Sequence, residues 1–417
     1  MLDRPAQGIP LTTTATAPLA QDVKVISLVG SAHVVSHFFQ LALPPLFPIL
    51  KDDLGISYTA LGMLSTVFFL TSGIAQPAMG FLVDRIGARR VLITGISLLG
   101  LSFLLMGLLP TYPAFIVLSA IAGIGNSVFH PADYSILTSS VSESRLGRAY
   151  SVHTVGGNVG WTLAPIVMIA MATTIGWQYA MVTIGAAGLA LAGFLTWQGS
   201  LLRDESDAHR GHDAKSEDGQ PTSRFSFLFN VAILASFVFF VFLAMGQFGI
   251  QSFSVTALNT IYGVDLALAG SALTLYLAVS ALGTIAGGFT ADRVQDPGKI
   301  VAVTFIFAAA VFIAMGGLEL PFWVMFGGFG LTGFAMGTAM PSRDLIVRRA
   351  TPPGATGRVF GFVYSGLDVG GTVAPVVIGA FMDAGQPSWL FYAVAMMIVA
   401  SAASVLVVRQ RTGGAGR

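Results

Sequence analysis

Apolar runs of about twenty residues or longer recur along the whole chain, each closed by a short stretch carrying charge, glycine or proline. They fall at roughly 23–50, 57–82, 90–109, 112–139, 149–174 and 178–199, and again at 226–258, 265–291, 299–317, 321–345, 358–382 and 388–408. Between the two sets lies a polar stretch, Arg203 to Arg224, holding Asp204, Glu205, His209, His212 and Glu217. The pattern predicts an all-α membrane protein of twelve transmembrane helices in two six-helix bundles, residues 23–199 and 226–408. A hydrophilic linker, 200–225, joins them, and short tails, 1–22 and 409–417, flank them.

The second bundle repeats features of the first. Gly147-Arg148-Ala149-Tyr150 runs on through Gly156-Gly157-Asn158-Val159-Gly160 to Ala164-Pro165. About 210 residues later stand Gly357-Arg358-Val359-Phe360, Gly366-Leu367-Asp368-Val369-Gly370 and Ala374-Pro375. Gly123 and Pro131 recur with the same offset as Gly333 and Pro341. Pseudo-symmetric halves of this kind are the layout of many secondary transporters.

Composition agrees. The 417 residues are 54% hydrophobic and 10% charged, with mean hydropathy +0.78. Soluble domains carry about 25% charged residues, so a water-facing surface cannot be built from this chain. Forty-nine glycines suit membrane helices, which pack closely through small residues. The net charge of +1 says little, but the placement of charge says much. Every lysine and arginine except Lys51 falls on the same side of the predicted helices. By the positive-inside tendency that side, with both termini, is cytoplasmic. The absence of cysteine removes disulfides and thiolate metal sites. Residues 1–22 lack the pattern of a signal peptide and read as a disordered tail.

The loop after the second helix reads Gly80-Phe81-Leu82-Val83-Asp84-Arg85-Ile86-Gly87-Ala88-Arg89-Arg90. It resembles the signature of the major facilitator superfamily of secondary transporters, with Ala88 where a basic residue is common. A decayed copy, Gly288-Phe289-Thr290-Ala291-Asp292-Arg293, stands between the eighth and ninth helices. Val128-Phe129-His130-Pro131, Val155-Gly156-Gly157-Asn158-Val159-Gly160, and His33, Ser36, His37 and Phe38 resemble the fosmidomycin-resistance branch, which exports drugs. That antibiotic is a phosphonate, so the resemblance implies an anionic substrate. It also implies that Asp84, with Arg85 and Arg89, braces a gate at the start of the eleventh helix near Arg358. By the repeat, Asp292 and Arg293 would do the same at Arg148. Helix N-termini carry partial positive charge, which makes such a brace physically sensible.

Ionisable residues inside a membrane span are costly and mark function by default. His33 and His37, four apart, share one face of the first helix and suit anion binding or proton relay, or one is a satisfied structural histidine. His130 and Asp133 can pair with each other on the fourth helix, near the gate. Asn158 and its counterpart Asp368 lie about ten residues from the cytoplasmic starts of their helices, roughly 15 Å along the axis. Asp368 is read as the proton-carrying group of the central cavity, the alternative being a fixed pair with Arg343 or a histidine. Arg343 and Asp344 stand near the cytoplasmic end of the tenth helix, where Arg343 either snorkels or anchors an anion. Gln247, Gln251, Tyr276 and Tyr364 are expected to line the cavity.

No phosphate-cradling loop and no nucleophile–base spacing occur, so neither ATP-driven transport nor enzymatic activity is expected. His209 and His212 read as a solvated stretch and not a metal site. The expected function is alternating-access transport in a bacterial-type inner membrane. The cargo would be a small anionic or amphipathic compound, exported against the proton gradient. Uptake of a carboxylate or phosphonate by symport is the alternative, and a non-transporting sensor the remaining one. The expected partners are that substrate, protons and the bilayer, with no cofactor, no nucleic acid and a monomeric state.

Overall fold

A computed structural model describes residues 19–202, 230–294, 296–351 and 356–412. The expected tails and linker lie outside these residues, apart from their edges, as do the side chains of Asp292 and Arg358. Among the described residues every regular element is a helix. The first half contains α1 (Leu19–Gln40), α2 (Phe47–Leu54), α3 (Tyr58–Ile86), α4 (Ala88–Leu108), α5 (Tyr112–Asn126), α6 (Phe129–Ser140), α7 (Glu143–Ile175) and α8 (Trp177–Trp197). The second contains α9 (Val231–Tyr262), α10 (Leu266–Arg293), α11 (Pro297–Gly317), α12 (Phe322–Ala350), α13 (Thr356–Asp383) and α14 (Trp389–Thr412). Eleven helical spans in this set are long and apolar enough to cross a membrane, and α14 adds a shorter apolar stretch, Trp389–Val405.

Two of the expected single helices are broken, and proline explains both breaks. Pro44, Pro45 and Pro48 lack the N–H groups an α-helix needs, so the chain leaves α1, makes one 3₁₀ turn at Pro44–Leu46 and restarts as α2. In the fourth segment Pro131 cannot donate to the carbonyl of Ser127, and the helix divides there into α5 and α6. That restart sets His130 and Asp133 in the first turns of α6. Pro77, Pro165, Pro341 and Pro375 by contrast sit inside helices that continue through them.

Glycines let the helices of each half touch backbone to backbone. A side chain at Gly100 of α4 would begin 2.8 Å from the carbonyl of Gly185 in α8. One at Gly337 of α12 would overlap the carbonyl of Ser280 in α10. The halves meet where α3 runs along α13 and α7 along α10.

The two ends of this assembly differ. At the end remote from the basic loops, Asp383 of α13 reaches across to the start of α3. Its carboxylate accepts from the N–H groups of Tyr58 and Thr59, each at 2.8 Å, and from the Thr59 hydroxyl at 2.6 Å. Phe253 packs on Phe47 and Tyr58 with ring centroids 5.2 and 6.3 Å apart. Further in, the Thr66 hydroxyl donates to the Thr372 carbonyl. At the basic end Asp84, Arg85, Arg148 and Arg293 stand exposed, and Arg89 donates to the Gly199 carbonyl within its own half.

Candidate functional site: a histidine-lined central cavity

The site begins with a one-turn spacing on α1. His33 and His37 project toward α7, where the Gly156-Gly157 pair and Gly160 leave room for them. A side chain at Gly157 would begin 2.7 Å from Cε1 of His37 and 3.2 Å from Nε2 of His33. The glycine-rich run thus has a specific purpose: it admits two imidazoles between closely packed helices.

α7 also supplies His153, whose ring stacks on His33 with centroids 3.5 Å apart. Below them, fully buried, lies Asp133 of α6. Its Oδ2 is 3.1 Å from Nδ1 of His33 and 2.9 Å from Nε2 of His153. With Asp133 ionised, both histidines donate to that one oxygen, which fixes their tautomers. Among the described residues, Asp133 Oδ1 and His37 Nδ1 are buried without a hydrogen-bond partner. His37 packs on Trp161 at 4.4 Å, and Trp161 donates to Gln40, which in turn donates to Asn126. His130 sits 5.6 Å from His33, centroid to centroid, and is exposed to the cavity.

The opposite wall is built differently. Arg343 of α12 lies over the rings of Phe240 and Tyr364, at 4.8 and 5.6 Å. Its Nε donates to Asp344 Oδ1 at 2.8 Å, and the Tyr364 hydroxyl donates to the same oxygen at 2.8 Å. Asn158, Gln247 and Tyr276 complete a cavity of about 430 Å³ between the halves. That volume lies within the range of small-molecule sites. Its lining comes from the middle and the basic-end halves of the helices.

The structure therefore brings together His33, His37, His130, Asn158, Gln247, Tyr276, Arg343, Asp344 and Tyr364 around one cavity, with Asp133 directly behind it. Three expectations are corrected. Asp133 does not bond to His130; it bonds to His33 and His153, because the α5–α6 break turns it toward α1 and α7. Gln251 does not line the cavity; it is buried one turn beyond Gln247, toward the closed end. Asp368 is outside the cavity. Tyr364 and Leu367 mark the cavity face of α13, whereas Asp368 shares its edge with Ser365 and Thr372, against α3. It meets neither Arg343 nor a histidine.

His153 and Tyr134 also line the cavity and were not among the expected residues. His153 is an ionisable residue in a membrane span, four positions before Gly157 and hence on the same helix face, and that spacing was available in the sequence. The donor atoms of His33, Asp133 and His153 lie within 4.8 Å of one another, a spacing that a metal ion would accept. Here both histidines meet Oδ2 of Asp133, and Oδ1 is left without a partner among the described residues.

Eleven spanning helices and a shorter apolar one, in two related halves with a polar cavity between them, suit a membrane transporter, and comparison with known proteins gives its family. The model of the Major Facilitator Superfamily matches residues 29–254 and 237–416. The chain belongs to that superfamily. It is 26% identical over 385 residues to the fosmidomycin resistance protein of Escherichia coli, covering 91% of each chain. It is also 26% identical over 378 residues to the E. coli membrane sensor protein UhpC, covering 85% of this chain and 84% of that one. Its fold matches the crystal structure of a bacterial homolog of the human lysosomal transporter Spinster. There the TM-score is 0.71 at 16% identity, over 94% of this chain and 95% of the other. Members of this family are membrane transporters and not enzymes, which accords with the expected fold and class.

Proposed function

We propose that this protein is a proton-coupled exporter of small anionic or amphipathic compounds, working by alternating access from a bacterial inner membrane. The observation that carries the reading is the charge distribution of the central cavity. One wall holds four imidazoles, whose charge depends on bound protons. The facing wall holds Arg343, whose charge does not change. An anion between these walls meets Arg343, permanently charged but paired with Asp344, on one side and switchable imidazoles on the other. In the outlined cycle anion and proton occupy the site in alternation. The anion is carried outward against Arg343 and the imidazole N–H groups. The emptied site returns inward with a proton on Asp133 and its histidines, released before the next anion binds. Asp368, expected to carry that proton, is replaced in this role by the His33–Asp133–His153 cluster. Fosmidomycin, a phosphonate, is the natural first substrate to test, because a relative of the same length is named for resistance to it.

The test uses purified protein in proteoliposomes with a pH-sensitive dye inside. Fosmidomycin supplied on the substrate side drives proton movement in the opposite direction if the coupling is antiport. Asp133→Asn uncouples proton movement from counterflow, and Arg343→Gln weakens binding. Proton movement in the same direction as fosmidomycin would establish symport and overturn the export reading. Coupled transport unaltered in both variants would refute the site.

A further inference from the structure

The central cavity leaves Asp368 unexplained. This carboxylate lies near the middle of α13, about 18 Å from the start of the helix at 1.5 Å per residue, so it sits at membrane depth. It lines a second cavity, of about 330 Å³, between α3 and α13. The other lining residues are Phe69, Leu70, Gly73, Ile74, Ser365, Val369, Thr372 and Val373. Leu70, Ile74, Val369 and Val373 are all large apolar residues with substantial exposure, Ile74 at 72%. In a membrane their exposed faces meet hydrocarbon, so this groove opens sideways into the bilayer and not to water.

Two features make the groove more than a gap. Gly73 accommodates the acid: a side chain there would begin 2.7 Å from Cβ of Asp368. The neighbouring hydroxyls are committed elsewhere, Ser365 to the Phe362 carbonyl and Thr372 to the backbone carbonyl of Asp368 itself. Neither a basic residue nor a histidine lines the groove. An ionised carboxylate at membrane depth needs a counter-charge, and the residues lining this groove offer none. The complementary occupant is a cation whose remaining surface is apolar.

We propose that the groove between α3 and α13 is a second ligand site, entered from the lipid, that takes amphipathic organic cations with their charge on Asp368. It lies on the seam between the halves, so an occupant touches both: Phe69, Leu70 and Ile74 from one, Val369 and Val373 from the other. The site is separate from the central cavity, stands apart from the anion reading, and differs from it in the sign of its ligand.

The experiment uses the full chain in lipid nanodiscs and tetraphenylphosphonium, a cation with no proton to lose and no hydrogen bond to make. Wild-type protein binds the probe saturably. Asp368→Asn, equal in size but uncharged, weakens binding at least tenfold. Val373→Trp, made at a partly exposed position where folding tolerates bulk, fills the groove and has the same effect. Fosmidomycin does not compete, which distinguishes this site from the central one. A photoreactive phosphonium labels α3 and α13 near Leu70 and Val373. The proposal is overturned if wild type does not bind the probe, or if both variants bind it within twofold of wild type. Labelling confined to the central cavity also overturns it.

Discussion

Asp383 offers a quantitative test of how the closed end is held. The first turn of α3 has donors that no intrahelical carbonyl can satisfy. Ser57 takes the N–H of Ala60 at 3.1 Å in the usual N-cap manner. The N–H groups of Tyr58 and Thr59 are taken instead by Asp383, from the other half of the protein. A hydrogen bond to a charged acceptor contributes about 1.5–3 kcal/mol when shielded, and a carboxylate at a helix N-terminus about 0.3–1 kcal/mol more. Asp383 is exposed, and water competes for the same donors, so the whole arrangement is worth about 1–3 kcal/mol to the closed end. Asp383→Ala therefore lowers the closed-to-open ratio at that end by roughly 5- to 150-fold, since 1.4 kcal/mol is about tenfold. Asp383→Asn keeps an acceptor of the same shape and loses the charge, so its effect is smaller. The chain has no cysteine, which allows spin labels at Asp52→Cys and Gln386→Cys without background. Both positions are exposed, one in each half, at this end. Pulsed dipolar spectroscopy should show a longer-distance population growing in the order wild type, Asn, Ala. Distance distributions that are unchanged in both variants, or a larger change in Asn than in Ala, would refute the reasoning.

Three further outcomes follow from the same geometry. Asp133→Ala leaves the buried N–H groups of His33 and His153 without an acceptor, at about 1–3 kcal/mol each, so thermal unfolding in detergent moves markedly lower, whereas Asp133→Asn costs less. Arg343→Lys loses the planar stack over Phe240 and Tyr364, about 0.5–2 kcal/mol, and with it roughly 2- to 30-fold in anion affinity by equilibrium binding. Gly337→Val forces a branched side chain into the Ser280 carbonyl and destabilises the protein by about 1–3 kcal/mol, read as a lowered melting temperature. Gly361→Ala serves as the control, because a Cβ there meets nothing within 4 Å.

Much of this architecture was legible in the sequence, because hydrophobic length and charge placement are one-dimensional signals. A run of apolar residues crosses the membrane whatever its neighbours are, and the repeat reports two halves directly. Pro44, Pro45 and Pro48 mark a bend in the first helix, where the break falls, but the break at Ser127–Val128 was less visible. Pro131 lies only four residues past the carbonyl it frees, and the other helices of the chain absorb their prolines without dividing. Within the site, single-helix spacing worked where a pair shares one face, as for His33 and His37. It failed where the partner lies on another helix. Asp133 has His130 three residues before it, yet its bonds run to residues 100 and 20 positions away. The repeat misled in a similar manner at Asp368. Pseudo-symmetry aligns backbones, but a rotation of a fraction of a turn decides which cavity a side chain meets. Asn158 faces the centre and Asp368 faces the lipid seam.

The two ends of the molecule can be compared through one interaction type. Asp383 closes one end by seating a carboxylate on the first turn of a helix from the opposite half. The family resemblance assigns Asp84 the same kind of contact at the other end, on the start of α13, and in this structure Asp84 stands exposed. The observed contact and the implied one would both use α3 and α13. α3 carries Asp84 near its last turn and offers its own N-terminus to Asp383, while α13 carries Asp383 in its last turn and offers its N-terminus to Asp84. A rigid tilt of one half against the other about the Gly62–Pro375 crossing, where the two backbones touch, shortens one contact as it lengthens the other. The seam that holds Asp368 runs between these same two helices. A cation seated there would bridge these same two helices, so under the proposed alternating access its occupancy would be coupled to their relative tilt and not to the histidine cavity.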